Sequence, residues 1–464
     1  MLKVVGAGTA SLVNGTTALE YALADQGLRV MAQTSKLGGG KPGSVVRLRM
    51  STEPITSMGN GCDVVACVDR LGLQEKWFGL QPGSVFVHEA GDPEVRAAAV
   101  AEGVITYPVP FADLHRRCGS RFAGKGFIAA GVLTYLLGIP EQIVRCRIRP
   151  HVGLRYFDAG VGFASAHLEK QDIYAVPIPT AAPRQVMLDA RQALLMGLTI
   201  GSCIGSCNCG PACAQALDRS PHEWIAAHVK AAWRRVSSLT HRTIPCLQGY
   251  RGSDGNVMAL LGAADPSAVP GYGASRQALV LVAADMLDAI RLVGLARQVG
   301  RAKTGAVWVV VDEILATRQQ SVSVEKLVKI VAEMTHDLEN KVSPPPQSLE
   351  WWPSAEWDSE PDAKIGYVAW GAAQGVVREA ITLCRSFGLN VAALYPKVLS
   401  PVLTQELEAF AKTVERLIVV ESDRTGRYTR LVRAWTSLPA LTVMPEPGRA
   451  LTPMDIFLRE GLGA

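Results

Sequence analysis

The chain has 464 residues, 48% of them hydrophobic and 19% charged, with a formal net charge of +5. That length exceeds what one core serves and implies two to four domains, and the composition supplies material for buried parallel sheets. The charge is mild and contains no Lys/Arg run, which argues against a nucleic-acid binder. No stretch reaches the roughly 18–20 uninterrupted apolar residues of a membrane span.

The opening MLKVVGAGTA reads as a buried strand running into a glycine turn, without a charged leader or cleavage site. Ten cysteines occur in clusters and not in a disulfide framework, so a reduced, cytoplasmic setting is expected. Residues 2–5 predict a strand, 14–24 a helix and 28–32 a second strand, a βαβ unit of a parallel sheet. The turn Gly6-Ala7-Gly8 lacks the third glycine of a dinucleotide fingerprint, and no acid ends the second strand. A tight strand–helix turn is the better reading.

Next comes KLGGGKPGSVVRLR, residues 36–49. Gly38, Gly39, Gly40 and Lys41, with Lys36, Arg47 and Arg49 nearby, suit a backbone cradle for a phosphate-bearing ligand; an exposed glycine hairpin reads equally well. Cys62 and Cys67 flank a strand-like run and read as core thiols.

The middle of the chain holds IGSCIGSCNCGPACAQAL, with Cys203, Cys207, Cys209 and Cys213 inside eleven positions. Four thiolates so close suit an iron–sulfur cluster or zinc. The C-x-C step is tight for neighbouring ligands on one tetrahedral ion, so small buried thiols and redox chemistry stay open beside metal binding. Downstream, residues 283–299 predict an amphipathic helix and 306–311 a buried strand. Asp312 and Glu313 end that strand, where open α/β sheets place ligands, or where acids cap the next turn. The proline- and tryptophan-bearing stretch VSPPPQSLEWWPSAEWDSEPD predicts an extended connector anchored by its aromatics. Beyond it, strands at 365–370, 391–394 and 417–421 alternate with helices at 376–387 and 403–412, again a parallel sheet.

Taken together, these pieces resemble the α subunit of 2-oxoacid:ferredoxin oxidoreductases in the form with a γ domain fused at the amino terminus, as in 2-oxoglutarate enzymes. The resemblance rests on GGGKPGSVVRLR with its following EPI, on YPVPFADLHRRCG and GFIAAGVL, and on PGYG through Asp312-Glu313-Ile314-Leu315. It rests also on AWGAAQGVVREAI, YPKVLSP and IVVESDRTGRYTRLVR. It implies an α/β fold of three doubly wound units with mostly parallel sheets. These would be a γ-like domain at 1–180, a shortened pyrimidine-binding-like domain at 181–340, a linker at 341–362 and a transketolase C-terminal-like domain at 363–464.

The middle part departs from the family. It is shortened, and GSCNCG stands where the family has the Tyr-Pro-Ile-Thr-Pro loop that contacts the 2-oxoacid, placing Cys209 near the substrate-binding threonine. The resemblance implies thiamine diphosphate with Mg2+ held mainly by a β-type partner subunit, coenzyme A as co-substrate and ferredoxin as acceptor. By order, Glu223 matches the glutamate that hydrogen-bonds the aminopyrimidine, although an ordinary first-turn helix acid explains it too. A diverged paralogue, with the middle domain turned into a metal-binding or electron-transfer module, is the alternative to a decarboxylating enzyme subunit.

Overall fold

The computed structural model describes residues 2–6, 9–36, 44–68, 80–91, 103–119, 124–149, 153–180, 183–203, 210–235, 237–239, 248–251, 257–263, 279–302, 307–339, 354–421, 426–436, 439–443 and 450–461. The chain begins β1 (Leu2–Gly6), α1 (Thr9–Asp25), β2 (Arg29–Lys36), β3 (Ser44–Ser51), β4 (Val64–Cys67), β5 (Val85–Glu89), β6 (Ile105–Val109). Then come α2 (Phe111–Arg117), α3 (Lys125–Leu136), α4 (Glu141–Arg145), α5 (Leu154–His167) and β7 (Gln185–Asp189). It continues α6 (Ala190–Cys203), α7 (Gly210–Arg219), α8 (Pro221–Arg235), β8 (Ser237–Leu239), β9 (Gln248–Arg251), β10 (Val257–Ala263), β11 (Leu279–Val282) and α9 (Met286–Ala302). Next are β12 (Val307–Asp312), α10 (Glu313–Ala316), β13 (Arg318–Ser323), α11 (Val324–Glu339), β14 (Ala355–Asp358), β15 (Ile365–Ala369), α12 (Ala373–Ser386) and β16 (Val391–Pro396). The last are β17 (Val398–Ser400), α13 (Thr404–Ala411), β18 (Arg416–Val420), α14 (Arg427–Thr436), β19 (Leu441–Val443) and α15 (Pro453–Gly461).

Two compact units result, and the first comprises residues 1–187 with 319–321. Its sheet runs β6-β5-β4-β1-β3-β2-β13-β7. Strands β1, β4, β5 and β6 are parallel, as the valine-rich, doubly buried runs require. The βαβ reading needs one correction. Strand β3 lies antiparallel between β1 and β2, because Arg29–Lys36 pairs along its whole length with Ser44–Ser51 directly after it. A local hairpin contact forms at small loop-closure cost and displaces the crossover partner. The edge beyond β2 is tied by Ser321, whose Oγ accepts the Val30 N–H at 2.7 Å, and by Arg29 donating to Gln185 at 2.7 Å.

Helix α3 is apolar around most of its circumference, as a largely buried helix must be, and packs with α1 and α5. Only glycine permits these approaches. A Cβ on Gly15 would stand 2.3 Å from the Gly126 carbonyl oxygen, and one on Gly160 2.2 Å from that of Ile128.

The second unit comprises residues 188–318 and 322–464. It holds two sheets, β17-β11-β12-β10-β9-β8 and β14-β16-β15-β18-β19. Strands β10, β11 and β12 are parallel, and so are β15, β16, β18 and β19. The α/β class with mainly parallel sheets is therefore as the sequence implied. The two sheets share one core, in which Val280, Val282, Trp308 and Val310 join Val368, Trp370, Leu394 and Val419. Strand β17 adds to the edge of β11, and Lys397 beside it pairs with Asp288 at 2.7 Å. Within the stretch read as a connector, Ala355–Asp358 forms an edge strand on β16, and Trp357 meets Phe410 edge-on at 5.4 Å. No helix among the described residues is long and apolar enough to cross a membrane.

Candidate functional site

Ligands of open α/β sheets bind beyond the carboxyl ends of the parallel strands. At three such ends here, the chain places a carboxylate that its own backbone already uses. In the first unit, Glu89 ends β5, and both carboxylate oxygens lie 3.2 Å from the Ala112 N–H in the first turn of α2. Helix α2 has Pro110 at its N-cap and no side-chain cap of its own, so Glu89 supplies the missing acceptor from the neighbouring strand. Lys125 stands 3.8 Å from Glu89 and donates to the Val68 carbonyl at 3.2 Å, closing the group with a cation. Cys67 and His88, paired across β4 and β5, are buried beside it, and Cys62 is a buried thiol, as read from the sequence.

The second such end is β12, and the ligand reading of its two acids needs correcting. Asp312 is 1% exposed. Its Oδ1 accepts the Leu315 N–H at 2.7 Å, and its Oδ2 accepts the Ala372 N–H at 2.6 Å. The strand end is thus filled by the turn that follows β15, and Asp312 is a cap that ties the two sheets together. That turn needs Gly371, which holds φ +58° and whose Cβ would lie 2.3 Å from Asp312 Oδ2. Glu313 points away and is exposed.

Arg318 is the charged residue that the sequence reading missed. It is 3% exposed, and its Nε has no hydrogen-bond partner among the described residues. Burial pulls its pKa down, while Asp312, Asp285 and Glu379 hold it up. Burial likewise raises the Asp312 carboxyl, against the amides of Leu315 and Ala372 and the charge of Arg318. An arginine in a strand-like run gives no sign in the sequence that it will be buried; only the acid-ended strand before it hinted at a charged joint.

The third end is β18. Glu421 is fully buried and accepts the N–H groups of Tyr428 and Thr429 at 3.1 and 3.0 Å and the Thr429 hydroxyl at 2.6 Å. It caps α14, and Gly426 before that helix sits at φ +61°. Thr425 lies outside the described residues.

The sequence-derived site residues are placed as follows. Gly38, Gly39, Gly40 and Lys41 lie outside the described residues, between the paired ends Lys36 and Ser44 of β2 and β3. Cys203 is the last residue of α6 and Cys213 lies in α7, whereas Cys207 and Cys209 lie outside the described residues. Among the described residues no three His, Cys, Asp or Glu side chains gather as metal ligands. Glu223 sits in the first turn of α8 and is exposed, with Trp224 and Ile225 turned into the core and His228 stacked on Trp224 at 3.6 Å. Apart from these ends, an open cleft of about 160 Å³ lies at the amino ends of β1 and β4, lined by Leu2, Met50, Asp63, Leu137, Tyr174 and Val176 among others.

Comparison with known proteins matches residues 2–159 to the family model for pyruvate ferredoxin/flavodoxin oxidoreductase. No curated protein matches the chain. Among solved structures, the fold is similar to that of 2-oxoglutarate:ferredoxin oxidoreductase from Magnetococcus marinus, which was solved with 2-oxoglutarate, coenzyme A and succinyl-CoA bound. The TM-score is 0.75 at 18% identity, over 99% of this chain and 98% of that one. A keto/oxoacid ferredoxin oxidoreductase γ subunit from Geobacter sulfurreducens aligns at 16% identity over 36% of this chain and 95% of its own, with a TM-score of 0.29. The pyruvate oxidoreductase subunit PORC from Thermotoga maritima aligns at 17% over 34% and 89%, with a TM-score of 0.28. Residues 2–159 therefore match that family model, inside a chain with the fold of a 2-oxoglutarate:ferredoxin oxidoreductase chain from end to end.

Proposed function

We propose that the chain is the α-type subunit, with a fused γ-like domain, of a thiamine-dependent 2-oxoacid:ferredoxin oxidoreductase. The complex would decarboxylate a 2-oxoacid such as 2-oxoglutarate, form the acyl-CoA and reduce ferredoxin, or run the reverse. The observation that carries this reading is the near end-to-end fold match, joined to the family match over residues 2–159.

Thiamine diphosphate, when bound, supplies the carbanion chemistry. The chain's own contribution is at the pyrimidine end. Glu223 is exposed at the positive end of α8, so its carboxylate is available to a cofactor edge presented by another chain and does not suit an internal pocket. Its role would be to hold the proton at the aminopyrimidine ring nitrogen. Cys209 would line the 2-oxoacid pocket, and Gly38, Gly39, Gly40 and Lys41 would hold a phosphate group of coenzyme A. Cys203, Cys207, Cys209 and Cys213 would form the soft-metal set if the middle loop carries an iron–sulfur cluster or zinc. The diphosphate and Mg2+ would belong to the β-type partner.

The test is co-expression with a β-type chain of the same enzyme class, followed by determination of thiamine diphosphate, iron and zinc in the purified complex. Stoichiometric thiamine diphosphate that falls on Glu223→Gln substitution is the expected result. A chain that remains a stable monomer and a complex without thiamine would overturn the reading.

A further inference from the structure

The cleft of about 160 Å³ at the amino ends of β1 and β4 lies at the other end of the sheet from Glu89, wholly within the first unit. Its floor follows from the strand register. Leu2 and Val64 are partners at the starts of β1 and β4, and β3, antiparallel to β1, delivers Met50 and Ser51 to the same edge. Its roof is the strap of residues 174–177, which runs without helix or strand toward β7.

The strap is pinned at several points. The Val176 N–H donates to the Leu137 carbonyl at 2.9 Å, just past the end of α3. Lys170 donates to the Tyr174 carbonyl at 2.6 Å, to Asp172 at 2.8 Å and to the Leu136 carbonyl. The buried Tyr107 hydroxyl donates to Asp172 at 2.7 Å and accepts the Gln171 N–H at 2.6 Å. These bonds hold an irregular stretch in place without any ligand. They also leave the cleft preformed, so an occupant would bind with little ordering cost.

Size and charge say what fits. An engineered apolar cavity of about 150 Å³ accommodates benzene, so this volume suits a body of one small ring. Leu2, Leu28, Met50, Val64, Leu137 and Val176 supply an apolar wall. Asp63 and Tyr174 supply a polar end, and no lysine, arginine or histidine is among the described lining residues. The Ser51 hydroxyl is already used by the Glu53 N–H at 3.0 Å. The Tyr174 hydroxyl has no hydrogen-bond partner among the described residues. Burial raises its pKa, and the charges of Asp63 and Asp172 raise it further. Asp172 is offset by Lys170, which leaves Asp63 to set the sign at the cleft. A negative end without a lining cation disfavours anions such as 2-oxoacids and phosphates and favours a cation.

We propose that this cleft binds a small primary amine with an apolar body of one-ring size, its ammonium group at Asp63 and the Tyr174 hydroxyl, its body against Leu2, Leu28 and Val64. The site does not depend on the oxidoreductase reading. The test titrates the full chain with benzylamine, benzyl alcohol and benzoate, three probes of similar shape and different charge. Binding is followed at the Met50 methyl group by NMR of isotopically labelled methionine. Benzylamine should move that signal saturably and bind about two- to fivefold more tightly than benzyl alcohol, as a part-exposed ion pair allows. Benzoate should bind most weakly. Asp63→Asn should erase the preference for the amine and leave the affinity for benzyl alcohol unchanged. Ala175→Trp, at an exposed position on the rim, should block both. A wild-type Met50 signal that none of the three probes moves would overturn the site. Benzoate bound as tightly as benzylamine, or an amine preference that survives Asp63→Asn, would overturn the ligand class and the proposal with it.

Discussion

Asp312 at the end of β12 and Glu20 in the middle of α1 are both buried carboxylates, 1% and 3% exposed. Their surroundings differ in kind. Asp312 accepts two backbone N–H groups and has Arg318 as counter-charge. For Glu20, burial is opposed only by a hydrogen bond with Thr16, and its pKa is pushed up to about 8. The difference teaches how to separate a buried acid that builds architecture from one the fold merely tolerates. The first is bonded from several sides and cannot be removed cheaply. The second is held protonated, and its carboxylate form is what costs stability.

The largest expected effect breaks the first half of that comparison. Asp312→Ala removes one of the three carboxylates, with Asp285 and Glu379, whose charge offsets that of buried Arg318, and strips an acceptor from the Leu315 and Ala372 amides. Equilibrium denaturation should show a loss of roughly 3–5 kcal/mol in the second unit. Hydrogen exchange at Ala372 should accelerate together with it; protection that survives the substitution would refute the clasp.

Glu20 gives the next effect, with opposite sign. Its folded pKa of about 8 lies above the ordinary glutamate value of 4.5. The folded state therefore holds more protons than the unfolded state between those values, and stability falls as pH rises through that window. The shift amounts to roughly 4–5 kcal/mol at pH 8 and vanishes near pH 4. Glu20→Gln should flatten the pH profile and stabilise the first unit above pH 7. A variant that follows the wild-type profile would show that Glu20 is not the titrating group.

Gly371→Ala sharpens the clasp from its other side. The residue holds φ +58°, and the new Cβ meets Asp312 Oδ2 at 2.3 Å. A loss of about 1–3 kcal/mol is expected, smaller when combined with Asp312→Ala because the clash partner is gone. Additive losses would mean that the two residues do not meet. The smallest effect belongs to Glu89→Gln. This carboxylate is part-exposed and beside Lys125, so its cap of α2 should be worth about 1 kcal/mol, seen as a modest shift in thermal midpoint.

How far the sequence was legible follows the same physics. Strands such as Val64–Cys67, Val307–Asp312 and Val391–Pro396 announce themselves as unbroken apolar runs, because both sheet faces are covered. The insertion of β3 between β1 and β2 could not be read, since a hairpin and a crossover share the same alternation of elements. Nor could the strand Ala355–Asp358 be found in a stretch dominated by prolines and tryptophans, where pairing with β16 overrides local propensity. At the site, the alternative of caps for Asp312 and Glu313 was visible in the residues. Which amide Asp312 caps was not, because Ala372 is 60 positions away. The cysteine spacing posed the question of a metal, and the tight C-x-C step left it open between cluster and core thiols.

The central claim is that this chain works as one subunit of a 2-oxoacid:ferredoxin oxidoreductase. The most direct measurement is viologen reduction, without oxygen, by the chain purified together with its β-type partner, using 2-oxoglutarate and pyruvate each with and without coenzyme A. The account predicts reduction that requires a 2-oxoacid, coenzyme A and both chains, with release of one carbon dioxide for every two electrons. A thiamine-loaded, intact complex that releases no carbon dioxide from any 2-oxoacid tested would contradict it.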